Sequence, residues 1–333
     1  MKRETSGNQK ILDFPFKSLR FLGSMKRILI LALTVLVAIL ILLPFVSDGE
    51  NQILNSETRS KSGGTFIETP DGFVHYKFDG PKNGDVVVLV PGFSNPLFIY
   101  EPLSKILQEE GFRVLTMDLF GRGLSDRPDT IYNPELFERE LLHLFKSLNI
   151  QKPVNLIGTS MGGIIVGQFT LKHPEMVKKL GLIAPAGFPM ELPLIGKLTR
   201  LPWIGDYFTK TFGDRAILKG SKTNFYAPEK FPDFNSIYKD QMKYIGFKRA
   251  ILSSLRNMPL ESFQKEYEKL DKIPIPKLLI WGKDDKVVPF QNSEAALKTF
   301  HGIEFFPLEN EGHIPHFESP ERIRPILLSF LKK

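Results

Sequence analysis

The pentapeptide Gly158-Thr159-Ser160-Met161-Gly162 constrains this chain more than any other stretch. It follows directly on Val154 to Ile157, a short apolar run with strand composition, and it opens the helical pattern from Met161 to Leu171. A strand that becomes a helix within one residue must turn sharply. Ser160 is therefore driven into a strained backbone, and small residues two before and two after it are needed where strand and helix crowd together. A serine that merely caps the helix is the competing explanation of these five residues taken alone.

The flanking sequence repeats the same alternation of short apolar runs with helical patterns, the signal for a mostly parallel sheet covered by helices, so the fold class is α/β. Residues 65–69 and 73–78 flank Pro70-Asp71-Gly72 and read as an antiparallel hairpin. Val86 to Val90 has the composition of a strand buried on both faces. Further strands are expected at Arg113 to Met117, Leu180 to Ala184, Lys277 to Trp281 and Glu304 to Pro307, with helices near 96–110, 134–148 and 320–331. Between about 185 and 272 the strand pattern stops and helical pieces rich in Pro, Phe, Tyr, Leu and Lys take over, which we read as an inserted cap. Its large apolar residues, Phe188, Leu194, Ile195, Trp203, Phe208 and Phe212 among them, either pack onto the core or face an acyl chain and lipid.

Ahead of this body, Ile28 to Val46 runs 19 residues without a charge. As a helix that is about 28 Å, enough to cross a hydrocarbon core of roughly 30 Å. We expect a transmembrane anchor at 28–46; a cleaved signal peptide is the rival, weakened by the length of the run and by the lack of an A-x-A-like site after it, and a buried core helix is a third reading. The formal net charge of +7 is unevenly placed: Lys2, Arg3, Lys10, Lys17, Arg20, Lys26 and Arg27 against Glu4 and Asp13 account for most of it. A nearly neutral body argues against a nucleic-acid partner. The cationic segment 1–27 should instead stay in the cytoplasm, with the body outside, because Asp48 and Glu50 are the first charges on the far side. A start at Met25 would leave that polarity unchanged. Residues 47–64, rich in Ser, Asn, Gly and mixed charge, read as a solvated linker, and 65–333 as one capped catalytic domain.

Chemistry enters through chain order. A G-x-S-x-G turn of this kind predicts an acid and then a histidine further along, both past strand ends. Asp284 and Asp285 follow the apolar run at Leu278 to Trp281, and His313 follows the next one. With no cysteine in the chain, thiolate nucleophiles and cysteine-ligated metals are excluded. His316 and Glu318 beside His313 raise a metal reading, but two histidines and a carboxylate with no further ligand cluster give it little weight. Gly121-x-Gly123 lacks the third glycine of a dinucleotide fingerprint, and we expect neither cofactor nor metal.

Four blocks together, Leu89-Val90-Pro91-Gly92-Phe93, Asp118 to Ser125, the turn at Ser160, and the acid and histidine loops, resemble the α/β-hydrolase superfamily over residues 65–333. Within it the chain looks most like membrane-anchored monoacylglycerol lipases and related bacterial esterases. The resemblance implies Ser160 as nucleophile, His313 as its base, and Asp285, reached through the Gly-x-x-Asp pattern from Gly282, as the partner of the imidazole; Asp284 is the alternative acid. It also implies an oxyanion hole from the backbone N–H groups of Phe93 and Met161. One departure stands out, since the usual His-Gly pair of the loop is Pro91-Gly92 here, and proline brings neither a side-chain hydrogen bond nor an N–H. The expected activity is that of a membrane-anchored serine hydrolase on carboxylic esters or lipids, with acyl transfer to water through Ser160. Two alternatives are a carbon–carbon bond hydrolase of the meta-cleavage product type and a catalytically silent binding protein that kept the fold.

Overall fold

The computed structural model describes residues 16–333, with side chains from residue 25 onward, so the first fifteen residues of the expected basic tail lie outside the described residues. The chain divides into two units, Met1–Ser47 and Asp48–Lys333. In the first, α1 (Phe16–Ser47) contains a 23-residue apolar stretch, Met25–Ser47, long enough to cross a membrane. Its large side chains from Ile28 to Val46 are nearly all exposed, which is a poor arrangement for a helix in water.

The second unit is built on an eight-stranded sheet in the order β1-β2-β4-β3-β5-β6-β7-β8. The strands are β1 (Thr65–Thr69), β2 (Gly72–Asp79), β3 (Val86–Val90), β4 (Arg113–Met117), β5 (Val154–Thr159), β6 (Val177–Ile183), β7 (Lys277–Gly282) and β8 (Glu304–Leu308). The hairpin β1–β2 and the pair β2–β4 are antiparallel, and every other pairing is parallel. Helices α2 (Ser56–Ser62), α3 (Glu101–Glu109), α4 (Pro134–Ser147) and α5 (Met161–Lys172) come before the cap, which holds α6 (Leu194–Thr199), α7 (Ile204–Ser221), α8 (Phe234–Lys239), α9 (Phe247–Asn257) and α10 (Gln264–Asp271). After it come α11 (Asn292–Thr299), α12 (Pro315–Glu318) and α13 (Pro320–Lys332).

Side-chain alternation along the strands divides the core in two. Val87, Leu89, Ile157 and Ile280 point to the face covered by Leu103 and Leu107 of α3 and Leu327 and Phe330 of α13. Val88, Val90, Leu156 and Leu279 point to the other, under Phe137 and Leu141 of α4 and Ile165 and Phe169 of α5. Each such side chain removed from water contributes roughly 1.5 to 3 kcal/mol, which explains why the central strands are apolar on both faces.

The stretch 47–64 differs from the solvated linker its composition suggested. Asn55 caps α2 by accepting the N–H of Thr58 at 2.9 Å, and Arg59 lies 4.4 Å over the ring of Phe73 while pairing with Asp126. Upstream, Glu50 accepts the N–H groups of Gly246 and Lys248 at the start of α9, Asp48 pairs with the buried Lys248 at 2.7 Å, and Ile245 donates to the carbonyl of Gln52 at 2.8 Å. The physical reason is that polar residues serve solvent and helix termini equally well, so composition cannot tell the two apart.

Candidate functional site

At the end of β5, Ser160 adopts φ 58° and ψ −123°, a sparsely populated positive-φ backbone that costs a non-glycine residue roughly 1 to 3 kcal/mol. The surroundings hold it there. Its N–H donates to the carbonyl of Ile183 at 3.0 Å, and its carbonyl accepts from Gly163 at 2.8 Å and Ala186 at 3.0 Å. The close approach expected at the two glycines is severe: a Cβ on Gly158 would lie 2.3 Å from the carbonyl oxygen of Gly162, and one on Gly162 would lie 2.3 Å from that of Val90. Met161 begins α5, where backbone N–H groups have no intrahelical partner and the helix dipole favours negative charge.

The loops after β7 and β8 are laced together by Lys283 N–H to Leu308 at 2.9 Å and Asp284 N–H to Glu311 at 3.1 Å. This brings Asp285 Oδ2 within 2.7 Å of His313 Nδ1. The other oxygen, Oδ1, accepts the N–H groups of Val287 and Val288 at 2.8 and 2.9 Å, so the carboxylate is fixed in orientation. With Nδ1 engaged, Nε2 is the ring nitrogen left for proton exchange. Asp285, rather than its neighbour Asp284, is thus the residue joined to His313. Ser160, Asp285 and His313 are all buried, and all three follow the carboxyl ends of parallel strands. Among the described residues no hydrogen bond joins Ser160 to His313 in this conformation.

The polar neighbours of His313 are otherwise engaged. Glu318 accepts the N–H groups of Gly312 in the histidine loop and of Tyr226 and Ala227 in the cap. His316 is fully buried and stacked on Tyr100 with ring centroids 4.5 Å apart; burial, reinforced by the charge of His313, pushes its pKa down to about 3. It is therefore neutral at any ordinary pH.

The loop after β3 lies against the serine: a Cβ on Gly92 would be 3.1 Å from Ser160 Cβ and 3.6 Å from its Oγ. Arg122, fully buried, donates from Nε to the carbonyl of Phe93 at 2.8 Å, from Nη1 to Phe120 at 3.0 Å, and from Nη2 to Ser254 Oγ on α9 at 2.8 Å. Burial lowers its pKa to about 10, which still leaves it charged at neutral pH. Gln241 donates to the carbonyl of Ser94 at 2.9 Å and accepts from Gly123 at 2.9 Å, while the Tyr100 hydroxyl donates to the carbonyl of Val90 at 3.0 Å. Sequence reasoning missed these three supports. Only Arg122 carried a signal, as a lone cation inside a Gly-Arg-Gly turn.

Residues 85–320 match a family model described as alpha/beta hydrolase fold. Among curated proteins the chain is similar to monoacylglycerol lipase abhd6-B of Xenopus laevis, with 26% identity over 75% of this chain and 76% of the relative. It is also 26% identical to the 2-hydroxy-6-oxo-6-(2'-aminophenyl)hexa-2,4-dienoic acid hydrolase of Metapseudomonas resinovorans, over 67% of this chain and 74% of that protein. Among solved structures, an esterase from Exiguobacterium antarcticum aligns with a TM-score of 0.69 and 25% identity, covering 81% of this chain and all of the other.

Proposed function

Because the chain belongs to the α/β-hydrolase family, we propose that it is a membrane-anchored serine hydrolase that cleaves carboxylic esters, monoacylglycerol-like lipids among them, through an acyl-Ser160 intermediate. The observation that carries the reading is the Asp285–His313 pair, oriented by two further amide hydrogen bonds and set on loops at the same carboxyl edge of the sheet as a serine held at positive φ. In this reading Nε2 of His313 takes the hydroxyl proton as Ser160 Oγ attacks the ester carbonyl, and Asp285 stabilises the imidazolium. The N–H groups of Phe93 and Met161 receive the oxyanion, and losing one such donor costs about 3 to 4 kcal/mol of transition-state stabilisation. Collapse of the intermediate breaks the bond to the alkoxide, which leaves with the proton from His313. Water, deprotonated by the same imidazole, then attacks the acyl-enzyme and releases the carboxylic acid.

Anchoring at 28–46 is supported by the length and exposure of the apolar stretch of α1, and the basic residues preceding it favour an extracytoplasmic catalytic unit. The proposed domain limits are a tail at 1–27, the anchor, and a catalytic domain whose cap spans about 185–272. A fluorophosphonate probe should label the full chain and fail to label Ser160→Ala, with hydrolysis of an ester panel lost in parallel. A second reading, carbon–carbon bond hydrolysis, is favoured by the likeness to the dienoic acid hydrolase. Turnover of a vinylogous dienoate with none of any ester would put it first.

A further inference from the structure

Helix α7 of the cap carries a stripe that folding does not explain. Ile204, Phe208, Phe212, Arg215 and Lys219 recur at helical spacing on one face, and all are exposed. The acidic residues of the same helix point elsewhere and are neutralised: Asp206 pairs with Arg256 of α9 at 2.8 Å, and Asp214 with Lys248 of α9 at 3.2 Å. Arg215 and Lys219 carry no ion pair among the described residues. The stripe is thus apolar over its first half and cationic over its second.

Just before α7, Trp203 is 87% exposed and sits at φ 64°. A bulky residue in the left-handed region is strained, and strain that wins no burial points to a use outside the fold. The turn that presents it is rigid. Trp203 N–H donates to Asp206 at 3.0 Å, Gly205 N–H donates to the carbonyl of Leu201 at 2.9 Å, and Arg256 donates to the carbonyls of both Arg200 and Leu201.

We propose that the α7 stripe and the Trp203 turn form a bilayer-docking surface that lies in the head-group region of a membrane containing anionic lipid. The chemistry fits such an occupant: tryptophan and phenylalanine settle at the boundary between head groups and acyl chains, while arginine and lysine reach lipid phosphates. The carboxylates around the stripe are already engaged within the fold, so its free charge is cationic and complements an anionic surface. Asp48 is paired with Lys248, and Gly49 lies so close to α7 that a Cβ on it would come 2.7 Å from Asp214 Oδ2. The inference rests on the membrane-anchored reading above and adds to it a role for the cap, which would open toward the phase where an ester with a long acyl chain is dissolved.

The two tryptophans make the test direct, because Trp281 is fully buried and only Trp203 can meet lipid. The full chain is reconstituted in phosphatidylcholine–phosphatidylglycerol vesicles with and without lipid brominated near the head-group end of the acyl chains, and Trp203→Phe supplies the Trp281 background. Bromination should quench the Trp203 component about twofold or more, and the pair Phe208→Glu with Phe212→Glu should remove most of that quenching. Retention of fluorophosphonate labelling shows that each variant is folded. Carbonate extraction separates the two readings. If the protein resists extraction but Trp203 is not quenched, the span stands and the docking surface is overturned; if it is extracted yet quenched in the presence of vesicles, the surface stands and the span does not. Shielding of Trp203 that grows with protein concentration in lipid-free detergent would identify a second copy as the occupant and overturn the proposal.

Discussion

His316 gives a prediction whose magnitude follows from the structure. It is fully buried against Tyr100, neither ring nitrogen has a hydrogen-bond partner among the described residues, and its pKa is about 3 against an ordinary 6.5. Above pH 6.5 the ring is neutral in both folded and unfolded chains, so it has no effect on the pH dependence. Between pH 6.5 and about 3 only the unfolded chain binds the proton, so stability falls as pH falls, by about 1.4 kcal/mol per unit. The loss reaches about 2 kcal/mol at pH 5 and levels off at roughly 4 to 5 kcal/mol below pH 3. His316→Phe keeps a ring on Tyr100 and removes the titration. Urea unfolding of the detergent-solubilised chain, read from Trp281, should show that the stability lost between pH 8 and pH 5 is about 2 kcal/mol smaller in the variant than in the wild type. Carboxylates titrating in the same range cancel in that comparison. At pH 8 the variant should be as stable or more so, because an unbonded buried imidazole is replaced by an apolar ring. Equal losses in both proteins would refute the argument, as would a large destabilisation of the variant at pH 8.

Other expectations concern the site and its supports. Asp285→Asn should lower kcat by about four orders of magnitude with little change in KM, whereas Asp284→Asn should stay within about twofold, as read from ester hydrolysis. Gly162→Ala places a methyl group 2.3 Å from a backbone oxygen, so no soluble folded protein should be recovered, while Gly220→Ala, with open space around it, should fold normally. Glu50→Ala removes the carboxylate that caps α9 and should cost about 1 to 2 kcal/mol, with faster proteolysis confined first to residues 48–64.

Much of this architecture was legible because it is written locally. A run such as Val86 to Val90 declares a doubly buried strand, and a glycine on either side of Ser160 declares a tight strand-to-helix turn, since each signal lies within a few residues of what it specifies. Asp285, which meets His313, lies where the Gly-x-x-Asp pattern of the resemblance pointed from Gly282. What was not legible depends on partners far apart in the chain. Gln241 meets Ser94 across 147 residues and Arg122 meets Ser254 across 132, and no periodicity records such pairs. The segment 48–64 illustrates the same limit, because an Asp, a Glu and an Asn that cap and pair look identical in sequence to ones that are solvated. The cap divided between its two expectations: Phe188 is in the core, whereas Trp203, Phe208 and Phe212 are exposed.

The proline at position 91 poses the sharpest question about the proposed oxyanion loop, because a histidine there would ordinarily help to hold it. In this chain the loop carbonyls of Val90, Phe93 and Ser94 are instead gripped by Tyr100, Arg122 and Gln241. Two of those grips extend into the cap, through Gln241 itself and through Ser254 on α9. The cap therefore helps to fix the loop proposed to receive the oxyanion. Removing both links in a Gln241→Ala, Ser254→Ala double variant leaves the triad residues untouched and Arg122 still bonded to Phe93 and Phe120. If Phe93 N–H stabilises the oxyanion, the looser loop should lower kcat by about ten- to a hundredfold at nearly constant KM, short of the full 3 to 4 kcal/mol of a lost donor. A variant that loses stability while keeping wild-type kcat would show that the loop geometry does not depend on the cap, and the assignment of Phe93 would have to be given up if Gly92→Ala, which crowds the same loop against Ser160, also left kcat unchanged.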